Sequence, residues 1–350
     1  MRTVVGTMTG TSMDGVDAVA VTIDGHALEM NASFISMNST PLGSTQKILQ
    51  KLTANGGTQK EMDAAASAVG ELSLKAIESL HIQSIDLIAL HGQTVFHAPP
   101  KSVQLIDVKP ISSSFDCEVL TDPRQHDLQL GGQGAPITPL ADWIMFRDED
   151  KSTAIVNLGG FCNVTLLPAS STPEEIRGFD VCCCNLLLNT IARHHFEVEF
   201  DCDGKSALRG TPNVEVTRAI LDKLTAQHDS KRSLGANDDL GEHALQLGSH
   251  LTPEDLLASA TKAIGSCITQ AVSGINRVCL AGGGVNNKSL IQSIQNHGTT
   301  ETLGVPAQAR EGMAMAILGA LAQDGVSITL PQVTGRKETP SVVGWVQASP

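Results

Sequence analysis

The chain has 350 residues, 32 glycines, no tyrosine and a formal net charge of −13, with a mass of 36.7 kDa and a pI near 5.2. That acidic balance excludes a general nucleic-acid or anionic-membrane binder, since both need a basic face, yet a local turn can still hold a phosphorylated ligand. A hydrophobic content of 41% supports a sizeable core, and the whole fits a loop-rich α/β enzyme of roughly two domains, not a coiled coil or a disordered chain.

Residues 1–37 read as an opening set of strands. Residues 43–55 and 60–80 follow as helices, the second with apolar residues at helical spacing. Residues 85–90 form a short buried strand that runs into His91-Gly92-Gln93-Thr94. Residues 98–153 are rich in turns and carry Gly131-Gly132-Gln133-Gly134-Ala135-Pro136. Residues 154–157 and 161–167 form a second strand–turn–strand. Helices are expected at 185–196, 211–225 and 253–273, then a strand at 277–281, then helices at 286–296 and 307–323. No stretch approaches the ~20 apolar residues of a membrane span, and the N-terminus lacks the apolar core of a signal peptide. Eight cysteines, three of them consecutive, make a poor disulfide framework, so a reducing cytoplasm is the expected location.

The first strand pair encloses Gly10, Thr11, Ser12, Met13, Asp14, Gly15, Val16 and Asp17. A Gly/Thr/Ser turn can offer backbone N–H groups and hydroxyls to a polyphosphate, and Asp14 or Asp17 can hold a metal ion through water. There is no Lys-Ser/Thr pair, so this is not a Walker P-loop. An ordinary glycine-rich hairpin turn explains the same residues equally well. The second pair, around Asn157, Gly159 and Gly160, echoes the first in pattern. Two such hairpins about 150 residues apart suggest two related lobes facing each other across a ligand cleft. Gly282, Gly283 and Gly284 end a later strand and could seat a nucleotide. They do not complete the dinucleotide fingerprint, because Asn287 stands where its third glycine belongs. Asp180 in Gly178-Phe179-Asp180 is the candidate general base. A helix-capping role is its plainer explanation.

These motifs recur together in one order. His91-Gly92-Gln93-Thr94-Val95 with His97, Arg124 and Asp127 stand before the 131–136 glycine run. Asn157-Leu158-Gly159-Gly160 with Asn163, Gly178-Phe179-Asp180 with Asn185, Asp203-Gly204, Gly282–Gly284 with Asn287, and Val333-Thr334-Gly335 follow. In this the chain resembles the anhydro-N-acetylmuramic acid kinases over almost its whole length. The resemblance implies a pair of actin/hexokinase-like (ribonuclease H-like) α/β lobes around a nucleotide cleft. Lobe I would take residues 1–140, with 325–350 returning to it, and lobe II residues 141–324. It implies an ATP- and Mg²⁺-dependent kinase. Water would open the 1,6-anhydro ring of the sugar, and O6 would be phosphorylated, in recycling of cell-wall sugars. Gly10–Asp17 would form the first phosphate loop, Asn157–Gly160 the second, and Gly282–Gly284 would flank the nucleoside. Asp180 would activate the water, while His91, Arg124 and Glu311 would line the sugar side. The partner is a small-molecule sugar. No nucleic acid, membrane or protein-bound metal cluster is expected, and a homodimer is left open.

After Asp180 the family has Thr-Gly-Pro-Gly where this chain has Val181-Cys182-Cys183-Cys184. If that turn needs left-handed backbone, cysteine costs on the order of 1 kcal/mol or more per residue. Asn189 and Asn286 likewise replace an acid and a histidine usual in the family. Two further readings stand beside the kinase: a catalytically degenerate sugar- or muropeptide-binding sensor, and a kinase for a different sugar. The cysteines themselves read as small buried thiols, ahead of a structural zinc site or an activated nucleophile at a helix start.

Overall fold

The structure, a computed structural model, describes residues 1–10, 13–230, 232–235, 238–337 and 346–347. In chain order its first elements are β1 (Arg2–Met8), β2 (Gly15–Asp24), β3 (Asn31–Pro41), α1 (Thr45–Asn55), α2 (Gln59–Glu78), β4 (Leu87–Leu90), β5 (Gln93–Ala98) and β6 (Lys101–Leu105). Next come α3 (Lys109–Ser112), β7 (Glu118–Thr121), α4 (Gln125–Gln129), α5 (Pro139–Phe146), β8 (Thr153–Leu158), β9 (Phe161–Leu167) and β10 (Arg177–Cys183). The remainder are α6 (Asn185–Phe196), α7 (Lys205–Arg209), α8 (Val214–Asp229), α9 (Gly241–Leu247), α10 (Pro253–Ala271), β11 (Arg277–Ala281), α11 (Lys288–Ser293), β12 (His297–Thr299), α12 (Arg310–Gln323), α13 (Pro331–Thr334) and β13 (Val346–Gln347).

The chain divides into two compact units. Unit 1 takes Met1–Arg147, Ser171–Ile176 and Ala309–Pro350; unit 2 takes Asp148–Ser170 and Arg177–Gln308. The expected partition kept residues up to 324 in the second lobe. The chain returns to unit 1 earlier, at Ala309, because α12 packs on β1, β2 and β4. Gly6 and Gly312 permit that packing. A Cβ on Gly6 would lie 2.1 Å from Gly312 O, and one on Gly312 would lie 2.3 Å from a Val19 methyl.

Each unit is built on one mixed sheet, and the two sheets share a topology. In unit 1 the order is β13-β7-β4-β1-β2-β3. β1–β2 and β2–β3 run antiparallel, while β4 and β7 run parallel to β1. In unit 2 the order is β10-β9-β8-β11-β12, with β8–β9 and β9–β10 antiparallel and β11 and β12 parallel to β8. Setting β8 against β1 superimposes the order 3-2-1-4-5 in both units, the ribonuclease H-like arrangement expected of the α/β class. The echo between the two hairpins is thus an echo of two whole sheets.

Local chemistry explains the elements. β4 is buried along all four residues, as a strand flanked by parallel neighbours must be. Helix α2 opens with a capping box: Thr58 Oγ1 accepts from the Glu61 N–H, and the Glu61 carboxylate accepts from the Thr58 N–H. It buries Ala65, Val69, Ser73, Ala76 and Ile77 along one face. Asn213, Thr252 and Asn287 cap α8, α10 and α11 in the same way. The turn-rich stretch 98–153 contains β6, β7 and three short helices that patterning alone did not separate.

Candidate functional site

In the first hairpin the Gly10 carbonyl accepts from the Met13 N–H at 3.2 Å and from Gln93 Nε2 at 3.4 Å. Met13 takes a left-handed φ of 53°. Its side chain and that of Val16 belong to the unit 1 core, so only their backbone groups can serve a phosphate. Gly15 lies close to β3, where a Cβ would stand 3.0 Å from Thr40 O. Asp14 is exposed and Asp17 half-buried. Burial raises the Asp17 carboxyl above its usual range, opposed by a hydrogen bond from Ser39 and reinforced by the nearby Asp14 charge. Two carboxylates that repel each other in this way suit a divalent cation. Thr11 and Ser12 lie outside the described residues.

The second hairpin caps a helix. The Gly159 carbonyl accepts from Asn185 N–H at 3.2 Å, and the Gly160 carbonyl accepts from Cys184 N–H at 2.9 Å and Leu186 N–H at 3.2 Å. Asn185 Nδ2 donates to Leu158 O at 2.9 Å. The motif asparagine and the Gly159-Gly160 turn therefore fix the start of α6 against β8. Asn157 is buried beside the glycine run of β11. A Cβ on Gly282, whose φ is +82°, would meet Asn157 Oδ1 at 2.5 Å, and one on Gly284 would meet the Leu158 Cβ at 2.6 Å. Gly283 differs. An added Cβ there meets nothing within 4 Å and the residue is exposed, so neither packing nor a positive φ requires glycine.

Asp180 sits on β10 opposite Asn163, at a register shift between Asp180 and Cys182. Its Oδ2 accepts from the Leu234 N–H at 2.7 Å. The segment that supplies Leu234 is tied down in turn. Gly235 N–H donates to Asp238 Oδ2 at 2.8 Å, and Arg232 pairs with Asp238. Val181, Cys182 and Cys183 end the strand and Cys184 leads into α6, with no glycine-like turn. Val181, Cys182, Cys183 and Cys184 are fully buried, and none has a positive φ. The expected backbone strain of cysteine at 181–184 is therefore absent. The thiols are free and belong to the unit 2 core, which is the buried-thiol reading. Burial pushes Cys183 up to about 12 and raises Cys184 as well, the opposite of an activated nucleophile. No cluster of three or more His, Cys, Asp or Glu able to hold a metal ion occurs among the described residues.

On the sugar side of the expected site, Arg124 Nε donates to His91 Nε2 at 3.1 Å and Arg124 Nη1 donates to Gly134 O at 2.6 Å. The structure thus brings His91 and Arg124 into contact. Complete burial, with the Arg124 charge second, holds His91 well below the usual histidine range, so the ring is neutral and accepts through Nε2. Glu311 lies in the first turn of α12, half-buried, directly after Arg310.

Other residues that frame these groups carry no sequence signal of their own. Arg310 and Asp142 form a fully buried pair: Nε donates to Asp142 Oδ1 at 2.8 Å, a second bond joins the same side chains, and Nη2 donates to Thr138 Oγ1 at 3.0 Å. Their partnership spans 168 positions, beyond any local pattern. Leu234 contributes only its backbone N–H, which no residue type reveals. Gly204 packs on the Asn287 side chain, where a Cβ would stand 2.2 Å from Oδ1, so two motif positions of unit 2 are one packing contact.

The model of a family described as "Anhydro-N-acetylmuramic acid kinase" matches residues 2–347. A protein of that name from Salinibacter ruber is 31% identical, covering 95% of this chain and 93% of the relative. One from Caldanaerobacter subterraneus subsp. tengcongensis is 29% identical, covering 99% and 96%. One from Francisella tularensis subsp. novicida is 28% identical, covering 95% of each.

Proposed function

We propose, for a chain that belongs to the anhydro-N-acetylmuramic acid kinase family, that Asp180 is the general base of a reaction coupling ring opening to phosphorylation. The family makes the chain a phosphotransferase that uses a nucleotide and a sugar. The finer reading takes ATP as donor and 1,6-anhydro-N-acetylmuramic acid as acceptor. Water adds its oxygen to the anomeric carbon and gives a proton to Asp180. The bond from that carbon to O6 breaks, O6 forms a bond to the γ-phosphorus, and ADP leaves. Phosphoryl transfer of this kind rests on positioning and on charge neutralisation.

The observation that supports the assignment is the Asp180 carboxylate at the register shift of β10, oriented by the Leu234 N–H at 2.7 Å. Backbone groups of Gly10–Asp17 and Asn157–Gly160 would hold the phosphates, and open space at Gly283 would admit the nucleoside. A Mg²⁺ ion, held through water by Asp14 and Asp17, would offset charge on the phosphates. The neutral His91 ring, fixed by Arg124, would orient the sugar. Free cysteines throughout the described residues accord with a cytoplasmic location. No residue at 181–184 takes a left-handed φ, so the strain argument for a degenerate site does not apply.

The test is turnover of anhydro-N-acetylmuramic acid with ATP and Mg²⁺ in ¹⁸O-labelled water. A sugar 6-phosphate carrying one ¹⁸O at the anomeric carbon is expected. Phosphorylation without label removes the hydrolytic step, and no phosphorylation removes the assignment.

A further inference from the structure

We infer that one face of the β5–β6 hairpin is a subsite that reads an uncharged hydrogen-bond donor of the substrate, the amide N–H of an N-acylated sugar, through His97 Nε2 and Gln104 Oε1. The inference rests on the sugar-kinase reading above and adds to it the residues that select the acyl amide.

The face is a small closed network with two acceptors left over. Ser102 Oγ is its hub. It carries one proton, donated to Phe96 O at 3.4 Å, so its remaining bonds must be accepted. Gln104 Nε2 donates to it at 2.7 Å and also donates to Thr94 Oγ1 at 3.2 Å. Both amide hydrogens of Gln104 are then used, which fixes the amide orientation and leaves Oε1 as acceptor. His97 Nδ1 lies 3.0 Å from the same hydroxyl and has to be the donor there, which leaves a lone pair on Nε2. Gln104 Oε1 and His97 Nε2 are both buried and both lack a partner. Buried acceptors without donors are costly, and two on neighbouring side chains that share one hydroxyl mark a place built for a donor from outside the chain.

The surroundings narrow the ligand. Gln125 Nε2 donates to Ser102 O at 2.8 Å, tying the hairpin to α4. Arg124 stands at the N-terminal boundary of that helix and holds His91. The acceptor pair is thereby tied to the two residues assigned to the sugar. Burial and the Arg124 charge hold His97 down at about 4, so the ring is neutral at physiological pH and accepts. The same guanidinium repels a cationic donor. An ammonium is therefore disfavoured and a neutral amide N–H favoured, which separates an N-acylated sugar from its free amine.

Calorimetry on the intact protein tests this with three probes: anhydro-N-acetylmuramic acid, its de-N-acetylated amine, and its 2-deoxy analogue. Wild type is expected to bind the N-acetylated sugar about tenfold more tightly than the 2-deoxy analogue, the usual worth of one buried hydrogen bond, and to bind the amine no better than the analogue. His97→Phe and Gln104→Leu should lose that difference with ATP affinity and melting temperature kept, and His97→Gln, which restores an acceptor, should recover part of it. Equal binding of all three sugars by wild type overturns the inference without needing any variant to fold. So does a full difference retained by both variants, the result expected if only water fills the site, and so does a wild type that binds none of the probes. A wild type that discriminates among the sugars but transfers no phosphate would overturn the kinase assignment and leave the subsite standing.

Discussion

Thr334 Oγ1 donates a 2.7 Å hydrogen bond to Asp127 Oδ1 across 207 positions of sequence. The other carboxylate oxygen accepts the Gly134 N–H at 2.8 Å, and Gln133 N–H donates to Thr334 O at 2.8 Å. Three of the recurring motifs, at 124–127, 131–136 and 333–335, thus converge on one buried carboxylate. Arg336 Nε lies 3.7 Å from it. Removing Asp127 takes the acceptor from the Thr334 hydroxyl and the Gly134 N–H and a counter-charge from Arg336. Asp127→Ala is expected to cost about 3–5 kcal/mol, and Asp127→Asn, which keeps shape and an acceptor, clearly less. Urea unfolding of both variants measures the difference, and equal losses would exclude a role for the charge.

Gly6 is a steric requirement. A methyl group there would meet Gly312 O at 2.1 Å and Ala316 N at 2.4 Å, and neither is the end of a flexible side chain. Gly6→Ala should cost at least the ~1–3 kcal/mol of an overpacked core. Thermal unfolding within experimental error of wild type would show that α12 does not seat on β1 as described.

Asp180→Asn keeps size and one acceptor oxygen but cannot take a proton. Turnover should fall by about 10²–10⁴-fold, with nucleotide affinity little changed because the glycine hairpins lie elsewhere in the sequence. A variant with near wild-type turnover excludes Asp180 as the base.

Two histidines make stability depend on acid. Burial first, then Arg124, lowers His91 well below its ordinary value of 6.5 and His97 to about 4. The unfolded chain therefore binds protons that the folded chain refuses, and stability must rise with pH in that window. It should be fully present above pH 6.5 and decline from there towards pH 4. Urea titrations of wild type and His91→Gln from pH 7.5 to 4.5 check the sign. The variant should show the shallower decline.

Replacing Val181–Cys184 by the family's Thr-Gly-Pro-Gly removes buried thiol side chains from a packed core. It also deletes the Cys183 N–H that donates to Gln227 Oε1 at 2.8 Å. Cavity and lost-donor effects together predict a loss of about 3 kcal/mol or more, with no gain in turnover. A graft that is both stable and faster would mean that the cysteines do obstruct the site.

The sequence made the fold class and both hairpins legible because strand–turn–strand patterning is local: β1–β2 and β8–β9 declare themselves through alternation and glycine. It also marked His91 and Arg124, whose contact the structure shows. The resemblance raised the prospect of a turn at 181–184 that cysteine would strain, and no residue there takes a left-handed φ. Strain depends on φ, and at Cys182 and Cys183 the backbone pairs with β9, which the residue types do not encode. The sequence passed over Arg310–Asp142 and Leu234 for a related reason. The first joins positions far apart in the chain, and the second acts through a backbone group common to nearly every residue.

The seat of α12 on β1 has a consequence for synthesis. Gly6 is made about 300 residues before Gly312, so that face of β1 waits uncovered while the intervening chain is produced. Unit 2, apart from the short return at Ser171–Ile176, is contiguous in sequence and has all of its strands by Thr299. A chain halted before Arg310 carries a complete second sheet beside a first sheet still lacking its covering helix, with the apolar surface of Val4 and its neighbours open to solvent or to another chain.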